Sequence, residues 1–222
     1  MIIGTMLVEK TRALFVTPLV YSLALVIIMN FIDNSFSRLA EDCTMFTIPL
    51  SMIMPTIFVI QKFVGESQLQ QTIAIPASNP DKYTAMISLI IIQSFIWLAV
   101  MFISDIVFLL IISNIIYGAE PSAVLSVIFD TKYLLQIIPM IYMTSLVGWW
   151  KIASRTTSGR RYADYVTVVM SFIIYLFMVP MFYTFGRTAM FAAITIYSLL
   201  VIIFALVRSY HNFKRIITNV NK

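Results

Sequence analysis

One histidine, one cysteine and a charged share of only 11% leave this 222-residue chain little with which to do aqueous or catalytic chemistry. Cys43 stands alone, so no intramolecular disulfide forms and no thiolate cluster holds a metal. The single imidazole, His211, lies among basic residues near the C-terminal end. That position excludes the paired histidines of a helical zinc protease and a mid-span serine–histidine dyad. The six glycines (Gly4, Gly65, Gly118, Gly148, Gly159 and Gly186) are scattered, and none is followed by Lys-Ser or Lys-Thr, so no phosphate-binding loop is present. The chain is expected not to be an enzyme, not to hydrolyse ATP, and to need no cofactor or metal.

Apolar residues fill the space. A 60% hydrophobic share and a mean hydropathy of +0.93 lie far from soluble compositions. The expectation is an all-α polytopic membrane protein with six transmembrane helices. Ile2, Ile3, Met6 and Leu7, followed by Glu9, Lys10 and Arg12, suit an interfacial helix over residues 1–12, and no removable signal peptide is read there. The spans are placed at about Ala13–Ile32, Thr44–Ile60, Thr84–Tyr117, Pro121–Trp150, Tyr165–Phe185 and Ala189–Val207. Pro49 and Pro55 predict a kink in the second. The fifth carries Pro180, and a minimal turn at Gly186 and Arg187 leads to the sixth. Trp149, Trp150 and Tyr83 fit an interfacial aromatic belt.

Charge sets the orientation. Lys10, Arg12, Lys62, Lys82, Lys151, Arg155, Arg160, Arg161, Arg208, Lys214, Arg215 and Lys222 fall on one side of this layout, and only Arg38, Lys132 and Arg187 on the other. By the positive-inside rule both termini are cytoplasmic. A pI near 9.4 is accounted for in the same way, so no nucleic acid partner is expected.

Residues 61–83, QKFVGESQLQQTIAIPASNPDKY, form the longest polar interruption. A short helix over Glu66–Ala74, stopped by Pro76, would present Glu66, Gln70 and Gln71 to the cytoplasm. Asn79 reads as the N-cap of the third span, with Pro80 and Asp81 in its first turn. Spans three and four make a long helical hairpin, the third being one long or tilted helix, with a re-entrant segment as the alternative. Counting 1.5 Å per residue from Thr84 and back from Trp150 puts Asp105 and Asp130 about 30 Å above the cytoplasmic boundary. There, an Asp105–Lys132 pair bracing the hairpin, or headgroup solvation, is expected.

The run of Glu66, Ile75-Pro76, Ser78 and Lys82-Tyr83 resembles a stretch of the permease subunits of ABC exporters of the second type. In that family an acid, then Leu-Pro-x-Ser, then Lys-Tyr lead into the third span, although Asn79 stands where relatives often carry Arg. The six-span layout, interfacial N-terminal helix and cytoplasmic element between spans two and three are also similar. The resemblance implies a single transmembrane permease domain over 1–222 in the plasma membrane, with residues 61–83 as the coupling element. A cytoplasmic ABC ATPase subunit would dock on the 66–82 element through the coupling residues Glu66, Gln70, Gln71, Pro76, Ser78, Asn79 and Lys82, with Glu66, Gln70 and Gln71 facing it and Pro76, Asn79, Pro80 and Lys82 shaping the turn into span three. The permease would work as a homo- or heterodimer. Its size and style are similar to permeases exporting amphipathic peptide toxins such as phenol-soluble modulins. The alternatives are an ion-coupled secondary transporter or channel, whose mark would be an essential acid at mid-depth, and a non-transporting membrane immunity or scaffold protein.

Overall fold

The computed structural model describes residues 11–32, 36–117, 137–184 and 187–220. Among them the chain is all helical: α1 (Thr11–Ile32), α2 (Phe36–Val64), α3 (Glu66–Ala74), α4 (Asn79–Ile112), α5 (Ile137–Ala153), α6 (Ser158–Thr184) and α7 (Arg187–Val220). A π-helical turn, Ser113–Tyr117, extends α4. Five helices, α1, α2, α4, α6 and α7, are long and apolar enough to cross a membrane; α5 is apolar but shorter, at 17 residues. The interfacial helix expected over residues 1–12 falls almost wholly outside the described residues, as do Gly186 and the turn between spans three and four.

Between Thr84 and Ser113 there is neither glycine nor proline, and α4 passes through Asp105 without a break. Its apolar stretch, Asn79–Ile116, is 38 residues. At 1.5 Å per residue that is about 57 Å, well beyond a hydrocarbon core of about 30 Å. Pro49 and Pro55 both lie inside α2, which continues across them. Hydroxyls of α2 turn back onto its own carbonyls, Thr44 Oγ1 to Ala40 O at 2.9 Å and Ser51 Oγ to Ile48 O at 2.7 Å.

Three local details differ from the sequence expectations. The cap of α4 is Ser78: its carbonyl accepts the first helical bond from the Lys82 amide, and its Oγ accepts from the Asp81 amide and donates to Asp81 Oδ2. This reciprocal pair satisfies the cap better than the amide of Asn79, which becomes the first residue of the helix. The sixth apolar helix does not end at Val207. It continues to Val220 because Ser209, Asn212, Phe213, Ile216 and Ile217 recur on one buried face while His211, Lys214 and Arg215 stay exposed. Finally, Trp149 is fully buried, edge-on to Phe204, and only its neighbour Trp150 is exposed, stacked on Tyr165. Adjacent helical residues point about 100° apart, so one of the pair turns inward.

The short helix was expected over Glu66–Ala74 and is found there. Ile75, next to Pro76, is extended at φ −65° and ψ 124°, as the proline ring demands of its predecessor. At the other end Gly65 separates α2 from α3. Its amide still bonds Gln61 O at 2.9 Å, but its ψ of 146° turns the chain out of the helix.

Contacts divide the chain into two compact units. The first comprises Met1–Pro55 and Ser88–Met140, the second Thr56–Ile87 and Ile141–Lys222. The first has a core of Val26, Leu39, Ala40, Cys43 and Leu109. In the second, Tyr142, Leu146, Trp149 and Ala153 of α5 pack on Val168 and Tyr175 of α6 and Ala205 of α7. Large apolar side chains also point outward, among them Leu19, Ile27 and Phe31 of α1, Phe177 of α6 and Leu200 and Ile203 of α7. Continuous outward apolar faces suit a lipid solvent.

A Cβ on Gly65 would sit 2.3 Å from the Gln61 backbone oxygen, whereas one on Gly159 would meet nothing within 4 Å. Gly65→Ala is therefore expected to destabilise by about 1–3 kcal/mol, the usual range for forced overpacking, and Gly159→Ala not at all. Thermal melting of the detergent-solubilised chain followed by circular dichroism measures both; equal melting temperatures would refute the steric argument.

Candidate functional site

α3 is the least apolar helix of the chain, and its place in the second unit is set by side chains from its flanks. Gln70 and Gln71 are exposed, while Thr72 is buried. Glu66 is the first residue of the helix; its side chain lies outside the described set. Pro76 and Ser78, also exposed, form the turn to α4.

Lys82 is turned inward. It is 4% exposed, and its Nζ donates to Ile73 O at 3.2 Å, closing a carbonyl in the last turn of α3. A cation at a helix C-terminus also meets the negative end of the helix dipole. One turn of α4 is thereby clipped to α3. The next residue, Tyr83, reaches elsewhere: its hydroxyl donates to Leu206 O of α7 at 3.0 Å, and its ring lies against Tyr210 and Phe213. A chain of contacts thus runs from α3 through Lys82 and Tyr83 to the C-terminal part of α7. Lys82 was expected from sequence to shape this turn; the Tyr83 link was not, since residues 83 and 206 share no local pattern.

Close to those residues of α7 lies an ion pair that sequence reasoning missed. Asp164 of α6, 1% exposed, accepts from Arg208 Nε at 2.8 Å and from Asn212 Nδ2 at 2.8 Å. Arg208 and Asn212 are four residues apart and so share one face of α7. A usable signal existed, an acid one turn into an apolar helix after Arg160 and Arg161, but it names no partner. Further along the same helices, Tyr142 and Tyr197 both donate to Ser171 O, at 2.8 and 3.1 Å, and Tyr142 stacks on Tyr175. These bonds join α5, α6 and α7.

In the first unit, Asp105 is 2% exposed. Ser22 Oγ of α1 donates to its Oδ1 at 2.5 Å, and Thr47 Oγ1 of α2 donates to its Oδ2. Ser22 stands near the middle of the apolar stretch Phe15–Ile32, so the contact sets Asp105 level with the centre of α1. The height counted from Thr84 put it at the outer boundary, exposed to headgroups. That count took Thr84 as the edge of the hydrocarbon, and a 38-residue stretch need not enter there. Lys132 and Asp130, the other members of the expected charge pair, lie outside the described residues.

Among the described residues no group of three or more His, Cys, Asp or Glu side chains is placed to hold a metal ion. Comparison of the chain with protein-family models, curated proteins and solved structures gives no match.

Arg208→Ala would leave Asp164 buried with Asn212 alone. The expected loss is roughly 3 kcal/mol, the low end for breaking a buried pair, because Arg208 itself keeps 32% side-chain exposure. Asp164→Asn combined with Arg208→Met should recover part of that stability, because no lone charge is left behind. Melting temperatures of the two variants in detergent decide it, and a double variant weaker than Arg208→Ala would refute the assignment.

Proposed function

We propose that the chain is the membrane-spanning subunit of an ATP-driven exporter of the ABC type, carrying a hydrophobic or amphipathic substrate, with amphipathic peptide toxins the substrate class its resemblance suggests. In this reading it crosses the plasma membrane six times, α5 belonging to the fourth pass, and both termini are cytoplasmic. It pairs with a second permease, identical or different, and with a separate cytoplasmic ATPase.

The observation that carries the reading is α3. A nine-residue helix of low apolarity, with Gln70 and Gln71 exposed, stands among described helices that are otherwise apolar and at least 17 residues long. Connecting segments between antiparallel helices are usually 2–8 residues, and this one is longer and ordered. It is also tied down, through Lys82 to α4 and through Tyr83 to α7. A partner gripping α3 would therefore displace the helices behind it. ATP binding in that partner biases the helices only if the α3 contacts differ between the two states of the ATPase.

Replacing Gln70 with Trp and Gln71 with Lys is expected to lower co-purification of a nucleotide-binding partner at least about tenfold, equivalent to about 1.4 kcal/mol of contact energy, with membrane insertion unchanged. Undiminished co-purification would remove the docking assignment. In intact cells a cysteine introduced at Gln71 should resist membrane-impermeant thiol reagents. Labelling from the exterior would invert the topology and remove the whole reading.

A further inference from the structure

Asp105 is enclosed by three helices, and the groups that meet its two oxygens are hydroxyls, not cations. Among the described residues no Lys, Arg or His forms an ion pair or hydrogen bond with it. The remaining titratable groups of the packed elements are sparse. On α1 there are Tyr21, whose ring lies against Trp97 of α4, and Arg12, nearly three turns before Ser22 in the helix. On α2 there are Cys43, buried one turn before Thr47, Glu41, Asp42 and Arg38 beyond it, and Lys62, about four turns the other way. On α4 the next charges are Asp81 and Lys82, some six turns away. Among the described side chains none supplies a positive charge at the carboxyl group.

A carboxylate with no cation beside it among the described residues is costly in such surroundings, and ionisable residues in apolar spans default to a functional role. Hydroxyls make the site adaptable because each both donates and accepts. With the carboxylate charged, Ser22 and Thr47 both donate to it, as their positions allow. With a proton on Oδ2, the acid donates to Thr47 Oγ1, and the Thr47 hydroxyl hydrogen swings to the carbonyl one turn back in α2. The same back-bond is made by neighbouring residues: Thr44 to Ala40 O in α2 and Ser104 to Val100 O in α4, at 2.9 and 2.7 Å.

We propose that Asp105, Ser22 and Thr47 form a proton-exchange site within the α1–α2–α4 packing, its ligand a proton taken from and returned to water. The step is a proton transfer alone: the carboxylate gains H⁺ from hydronium or water, and the Thr47 hydroxyl reorients. The site is independent of the docking role of α3, and its test involves no ATPase.

Difference infrared spectroscopy on the purified full chain in lipid nanodiscs, stepped from alkaline to acidic buffer, tests it. The expected result is a protonated-carboxyl stretch that grows on acidification and is absent in Asp105→Asn. A spectrum identical in wild type and Asp105→Asn would overturn the proposal, as would a band that does not change with pH. If Asp105→Asn does not fold, Ser22→Ala and Thr47→Val serve instead, because each keeps the acid but removes one hydroxyl. Each should shift the band to a different frequency, and no shift in either would overturn the site. Exchanging sodium for choline at fixed pH should leave the band unchanged; its loss in sodium alone would assign the site to a metal cation and refute the proton.

Discussion

Inside hydrocarbon there is no water to accept a hydrogen bond, so a polar side chain on an apolar helix must find its partner on another helix or on its own backbone. That constraint organises this molecule. Apolar helices gain little by exchanging lipid contacts for contacts with one another, so association depends on close packing and on the few polar bonds available. Those bonds here are grouped: Asp105 with Ser22 and Thr47 joins α1, α2 and α4, and the Ser171 carbonyl with Tyr142 and Tyr197 joins α5, α6 and α7. Asp164 with Arg208 and Asn212 fastens α6 to α7 a second time. Each of the two compact units carries its own polar ties.

The same constraint explains why the polar segment between α2 and α4 takes the form it does. A helix of nine residues leaves carbonyls open at its end, and an apolar chain has few donors to offer them. Lys82 supplies one from the first turns of α4, which brings its ammonium to Ile73 O and removes it from solvent. Ser78 and Asp81 close the start of α4 in the same few residues. Gly65 lets α2 end without a side chain striking Gln61 O. The ordered turn thus follows from backbone satisfaction. Gln70 and Gln71 take no part in it and stay exposed.

Much of this was legible in the residues, and the failures have a common cause. Long apolar runs, the stop before Pro76 and the Glu66–Ala74 helix depend on composition and on neighbours within a turn, which a sequence displays directly. The capping of α4 was misplaced by one residue, because Ser78 and Asn79 are both good caps and only the reciprocal bond to Asp81 separates them. Tyr83 with Leu206 and Asp164 with Arg208 join residues far apart in the chain, and local periodicity cannot choose between candidate partners. Asp105 is the instructive case. Counting residues along α4 measures distance from Thr84 but not what the side chain meets, and Asp105 is buried against Ser22 of α1 and Thr47 of α2 instead of solvated.

The two buried acids differ in what their partners permit. Asp164 faces a guanidinium and an amide of α7, so its carboxylate meets a cation and the α6–α7 contact acts as a brace. Asp105 faces hydroxyls, which stabilise a carboxylate by donating and a carboxylic acid by accepting. In the exchange proposed above, the α1–α2–α4 contact keeps its heavy atoms in place in either protonation state. An ion pair at this position would instead hold the carboxylate in one state, and its loss would break the joint.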